Sequence, residues 1–177
     1  MVVVKKQVDW LLGATVGLCW AVLVLLGIGL GALVAAVPSL FIFQGRVISE
    51  IAKKHPGFTA DQLPWVLAIL IGATLIVALV FLFVKTLLDI VMSVGTGDPL
   101  TTENAARLEK MGWIGIGVQG VGLLTGMVTW RLSSFIPKLD LDFGIDLSNV
   151  ILILLLFILA RVFRAGATMR AELEGTV

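Results

Sequence analysis

One cysteine, one histidine and no tyrosine stand in a chain of 177 residues. Cys19 lies inside an apolar run, so no internal disulfide can form and the redox compartment stays open. With only His55 beside it, zinc sites built from His and Cys, and any Cys/His catalytic dyad, are disfavoured. Charge is scarce as well, at 14% of residues with a net of +1. That balance gives nucleic acid no bulk electrostatic reason to bind directly. A soluble domain is usually about a quarter charged and about half apolar. Here 59% of the chain is hydrophobic and mean hydropathy is +1.08, more than a globule this small can bury. Lipid must solvate the excess. Trp10, Trp65, Trp113 and Trp130 all fall near the ends of apolar tracts, where indole rings settle at headgroup level.

Four tracts carry no charged residue: 10–43, 62–84, 112–130 and 147–160. Crossing the hydrocarbon core takes roughly 20 helical residues. The first tract is too long for one span and too short for two with a turn. Pro38 divides it, since proline ends or kinks a helix yet suits a new first turn. The expected architecture is therefore one all-α membrane domain over residues 1–177, with spans at about 10–37, 63–84, 111–130 and 147–163. An interfacial helix at about 39–54 follows the first span. Leu40, Phe41, Val47, Ile48, Ile51 and Ala52 share one of its faces, and Gln44, Arg46, Glu50, Lys53 and Lys54 the other. His55-Pro56-Gly57 breaks it. The fourth span reaches full length if Arg161 snorkels to the interface.

Four spans put both termini on one side. With that side inside, Lys5, Lys6, Lys85, Arg107, Lys110, Arg161, Arg164 and Arg170 face the cytoplasm, and only Arg46, Lys53, Lys54, Arg131 and Lys138 lie outside. The bias favours cytoplasmic termini, a cytoplasmic loop at 85–110 and a cytoplasmic tail at 164–177. A signal peptide would also start with lysines, but its apolar core runs to only about 7–15 residues.

Chemistry is harder to place. Gly95-Thr96-Gly97-Asp98 matches a string of intramembrane aspartate proteases. Such an enzyme needs two carboxylates at membrane depth with their pKa values split. Asp98 lies outside the apolar tract before Pro99, and no tract contains a second acid. The string reads instead as a turn, with Asp98 or Thr101 capping a following helix, Glu103 in its first turn, and Glu103 spaced to pair with Arg107. Asp140, Asp142 and Asp146 suggest calcium, but the loop lacks the glycine and glutamate of a calcium hand. It reads as a solvated loop or short strand. No cofactor is implied, and the expected class is non-enzymatic. The spans offer a transport pathway only Thr15, Thr74, Gln119 and Thr125, none titratable. Gln119 is expected to bond across to a neighbouring helix.

Glycine is the positive signal. Gly13/Gly17, Gly27/Gly31 and Gly122/Gly126 are spaced by four, and Gly112, Gly115, Gly117 and Gly120 enrich the third span. Small residues at such spacing let helices approach closely in lipid. They predict tight packing of the first span on the third, or a homo-oligomer. An oligomeric channel or lipid-binding assembly is the alternative functional reading.

Three stretches carry a family likeness: G-D-P-L-T-T-E-N-A-A-R-L-E-K-M-G-W from Gly97, R-V-F-R-A-G-A-T-M from Arg161, and the terminal L-E-G-T-V. With four spans, they resemble bacterial membrane proteins of the domain-of-unknown-function family 2975. Gly97, Pro99, Asn104, Arg107, Leu108 and Gly112 match that family's pattern, and Leu100 stands where it usually has Phe. The resemblance supplies no reaction. It implies a neighbouring small helix-turn-helix regulator as partner. The contact surface would be the 85–110 segment with the tail, where Glu103, Asn104 and Arg107 would be the exposed contacts and Gly97, Asp98 and Pro99 the turn.

Overall fold

The computed structural model describes residues 2–54, 59–95, 99–133 and 146–174. They form five α-helices: α1 (Val2–Ile42), α2 (Gln44–Lys54), α3 (Leu63–Gly95), α4 (Thr102–Ser133) and α5 (Leu147–Glu174). A single 3-10 turn, Ala60–Gln62, precedes α3, and no strand occurs among the described residues. Helices α1, α3, α4 and α5 are each long and apolar enough to cross a membrane. The protein is an all-α, multi-pass membrane protein.

Pro38 does not end the first helix. The helix continues to Ile42, breaks at Phe43 and resumes at Gln44. Proline costs one backbone hydrogen bond at its own nitrogen, and around it the next turns stay bonded. The Ser39 hydroxyl donates to the Ala35 carbonyl at 2.7 Å, and the Phe43 amide to the Ser39 carbonyl at 2.9 Å. The break falls instead beside Gly45, a poor helix former. Beyond it α2 is amphipathic as expected, with Val47, Ile48, Ile51 and Ala52 half-buried and Arg46, Glu50 and Lys53 exposed.

The segment expected as a cytoplasmic loop is also mostly helix. α4 starts at Thr102, as expected of a helix running from the turn into the third span, while α3 runs past Val84 to Gly95 and the tail stays helical to Glu174. Helices of 33, 32 and 28 residues extend beyond about 42 Å at 1.5 Å per residue, against a hydrocarbon core of about 30 Å. From Leu63 to Lys85, and from Gly112 to Ser133, is roughly 30 Å of helix. The excess lies at one end of the molecule, where α3 meets α4. Lys85, Asp89, Glu103, Arg107, Glu109, Lys110, Arg161 and Arg164 all belong to that end.

The spans stand in chain order. α1 packs on α3, α3 on α4, and α4 on α5, each pair antiparallel. First and third spans, expected to pack together, form no substantial interface because α3 stands between them. Of the glycines spaced by four, Gly13, Gly17, Gly27, Gly31 and Gly122 are not the ones that bring helices together. A Cβ added at Gly13, Gly17, Gly31 or Gly122 would meet nothing within 4 Å, and at Gly27 only the Phe81 ring at 3.9 Å. Gly126 is half-buried. Close approach occurs elsewhere. A Cβ at Gly112 would stand 2.9 Å from Phe157 Cζ, one at Gly115 would stand 2.7 Å from Ile153 Cγ1, and one at Gly72 would collide with the Thr125 side chain. Bare backbone at these positions admits α5 and α3 to the two sides of α4.

Apolar burial concentrates at the long end. Ile90, Leu108, Met111, Leu156 and Ala160 form one cluster across α3, α4 and α5, backed by Phe83, Leu87, Leu159 and Phe163. Cys19, Leu23 and Leu88 form a second between α1 and α3. Toward the other end, Leu75, Leu124, Met127 and Ile151 are open to the surroundings, which lipid tolerates as well as protein does.

Overpacking distinguishes the two glycine sets. Gly112→Val and Gly115→Val should each lower stability in detergent micelles by about 1–3 kcal/mol. Gly13→Ala and Gly122→Ala should be neutral or stabilising by up to about 1 kcal/mol, since alanine favours helix. Thermal unfolding followed by circular dichroism measures both; equal losses in the two sets would refute this assignment of the interfaces.

Candidate functional site

The residues of the family-like stretch meet where α3 ends and α4 begins. α4 is capped by Thr101, whose hydroxyl accepts from the Asn104 amide at 3.1 Å while its carbonyl accepts from the Ala105 amide at 3.1 Å. This satisfies an otherwise orphaned donor of the first turn. Gly97 and Asp98 lie outside the described residues.

Asn104 is fully buried, the largest side chain in the described chain to be so. Its Nδ2 donates to the Pro99 carbonyl at 3.0 Å and to the Ser93 hydroxyl at 2.7 Å. That hydroxyl has one proton, which goes either to the Ile90 carbonyl at 2.7 Å or back to Asn104 Oδ1 at 2.9 Å. Oδ1 also accepts from Arg107 Nη1 at 3.0 Å. One amide therefore joins the last turns of α3, the connecting residues and the first turn of α4. Among the described residues no buried side-chain polar atom is left without a partner.

Arg107 continues the network. Its Nη1 donates to the Asp89 carbonyl at 3.2 Å, and its Nη2 pairs with Glu103 Oε1 at 2.6 Å. The Arg107 side chain, 25% exposed, thus bridges two helices, while that of Glu103 is 73% exposed. Leu108 is buried in the core cluster below. On the other side of α4, Glu109 pairs with Arg164 of α5 at 2.6 Å, and Leu100 lies against Gly166 with its Cδ1 3.4 Å from where a Cβ would stand.

The expectation that Glu103, Asn104 and Arg107 form an exposed contact set is corrected for Asn104. Its amide is spent inside the turn, and a partner cannot reach it. Arg107 is half-buried, so only Glu103 of the three is open. Ser93 was missed by sequence reasoning. Its signal was helical spacing, for Phe83, Leu87, Ile90 and Ser93 fall on one face of a helix taken to end at Val84.

Elsewhere, polar groups in the spans are bonded within the chain. Asn149 Nδ2 of α5 donates to Gln119 Oε1 at 2.9 Å. The hydroxyls of Thr15, Thr74, Thr125 and Thr129 donate to carbonyls one turn back on their own helices. Trp113 meets Phe157 edge to face with centroids 5.7 Å apart, fixing α4 on α5. Asp146 accepts from the Ser148 amide at 2.9 Å and opens α5 as a cap. Asp140 and Asp142 lie outside the described residues, as does His55. Among the described residues no three His, Cys, Asp or Glu side chains group as metal ligands.

The network sets a mutational order. Asn104→Ala strands the Pro99 carbonyl, removes one bond each from Ser93 and Arg107 and empties a buried site, and should cost about 2–4 kcal/mol. Glu103→Ala removes an exposed partner and should cost less than about 0.5 kcal/mol. Denaturant titration in micelles gives both values; an Asn104→Ala loss no larger than that of Glu103→Ala would contradict the buried network.

No curated protein and no solved structure matches the chain. A family model described as "Protein of unknown function (DUF2975)" matches residues 46–177. The match takes in α2, the whole α3–α4 turn, α4 with both its interfaces, and α5. On that coverage, the chain belongs to the DUF2975 family.

Proposed function

We propose that this protein is a non-enzymatic docking platform in a bacterial inner membrane, which presents its α3–α4 end to the cytoplasm and there holds a small helix-turn-helix regulator. The orientation rests on the excess of Lys and Arg at that end. The partner class comes from the family resemblance. One observation carries the docking role: the end of α3 and the start of α4 are tied together from within. Asn104 bonds Ser93 and the Pro99 carbonyl, and Arg107 bonds the Asp89 carbonyl and Asn104, so the first turns of α4 are held against α3. Thr102, Glu103, Ala106 and Lys110 are exposed on the first turns of α4. A preorganised surface loses little entropy when a partner settles on it. Charged, exposed rims of this kind govern association rate and partner choice more than affinity.

This reading divides the turn between two roles. Asn104 and Ser93 hold the shape, and Glu103 and Lys110 make the contact. The test is capture of the purified neighbouring regulator by the full-length protein in nanodiscs. Reversing both charges, Glu103→Lys with Lys110→Glu, should reduce capture by about tenfold or more, as loss of matched charge pairs does, while costing less stability than Asn104→Ala. Retained capture by this double variant would rule out the proposed surface.

A further inference from the structure

A groove of about 330 Å³ lies between α1 and α3, lined by Trp20, Leu23, Val24, Phe81, Lys85, Leu88, Asp89 and Met92. Its walls are mostly apolar, and its two charged groups are one helical turn apart. That is the usual make-up of a ligand site, at the lower end of the usual size range of about 300–1,000 Å³. Three observations say what would fill it.

The first is depth. Lys85 follows Leu63, the start of α3, by about 33 Å of helix, close to the thickness of the hydrocarbon core. Trp20 faces it from α1 and is 57% exposed. Lys85 and Asp89 therefore stand at headgroup height. Val24 and Phe81 extend the groove toward the acyl chains.

The second is charge. Lys85 and Asp89 are spaced to pair along the helix, yet among the described residues neither side chain has an ion-pair or hydrogen-bond partner. Arg107 approaches Asp89 only at its backbone carbonyl. Charged groups beside lipid are costly unless paired. The site thus offers one cation and one anion, side by side, over an apolar channel.

The third is chemical fit. A phospholipid carries its phosphate nearer the glycerol and its amine beyond it. In that order, the phosphate meets Lys85, deeper in the bilayer, and the amine meets Asp89, one turn farther out. A primary ammonium donates charge-assisted hydrogen bonds to a carboxylate, whereas a quaternary ammonium has no proton to donate. We infer that the groove between α1 and α3 is a binding site for a phospholipid with a primary amine headgroup, of the phosphatidylethanolamine class. Lys85 holds its phosphate, Asp89 its ammonium, and Trp20, Val24 and Phe81 one acyl chain.

Native mass spectrometry of the full-length protein, released from detergent with equal amounts of dioleoyl phosphatidylethanolamine, phosphatidylcholine or phosphatidylglycerol, tests this directly. Phosphatidylethanolamine should be retained about tenfold more than phosphatidylcholine, the scale of one charge-assisted hydrogen bond. Asp89→Asn should bring retention down to the phosphatidylcholine level. Lys85→Gln should weaken retention of all three. Val24→Trp, which fills the groove without touching a charge, should abolish binding and keeps the test open if Asp89→Asn misfolds. Equal retention of ethanolamine and choline lipids overturns the inference. So does preference for phosphatidylglycerol, or unchanged binding in Val24→Trp.

Discussion

A single buried amide organises the end of the molecule where all the long helices emerge. Asn104 sits where α3, the connection and α4 converge, and satisfies groups from each. Its burial is tolerable only because every arm is bonded, since an amide stranded from water costs several times what one satisfied bond contributes. The arrangement also draws Arg107 over the Asp89 carbonyl, near the negative end of α3 and the start of α4. Aspartate here would lose the donor to Pro99. Leucine would strand the Pro99 carbonyl and leave Ser93 and Arg107 only their bonds to Ile90, Asp89 and Glu103. The identity of the residue follows from geometry.

The two ends of the helices are packed differently. At the α3–α4 end, Ile90, Leu108 and Met111 pack with Leu156 and Ala160 of α5 into one apolar cluster. Within the membrane thickness no hydrophobic force acts between helices. Contact there depends on bare backbone at Gly72, Gly112 and Gly115 and on the Gln119–Asn149 bond.

Much of this was legible beforehand. Hydropathy marked four spans, alternating faces marked α2, and the cap and ion pair of α4 could be read from Thr101, Glu103 and Arg107. Three errors share one cause. Pro38, Lys85 and the spaced glycines are local signals, and each was overridden by a neighbour in space. Backbone bonding around Pro38 carries α1 onward. Packing of Ile90 and Ser93 keeps α3 helical past its first charge. Which glycines are covered depends on which helix stands beside them, and adjacency is not written in spacing. The buried role of Asn104 was hidden for the same reason, because its partner Ser93 lies across the turn.

The order of the spans has a consequence for how such a protein can change. α4 has neighbours on two sides, so a substitution in it must suit both α3 and α5 at once. α1 has only α3. A helix at the end of a row can drift in sequence, or be exchanged for another, by renegotiating one surface. The family match begins at Arg46, just beyond α1. The lipid-sized groove lies along that one negotiable surface, so the least constrained helix of the fold supplies half its walls.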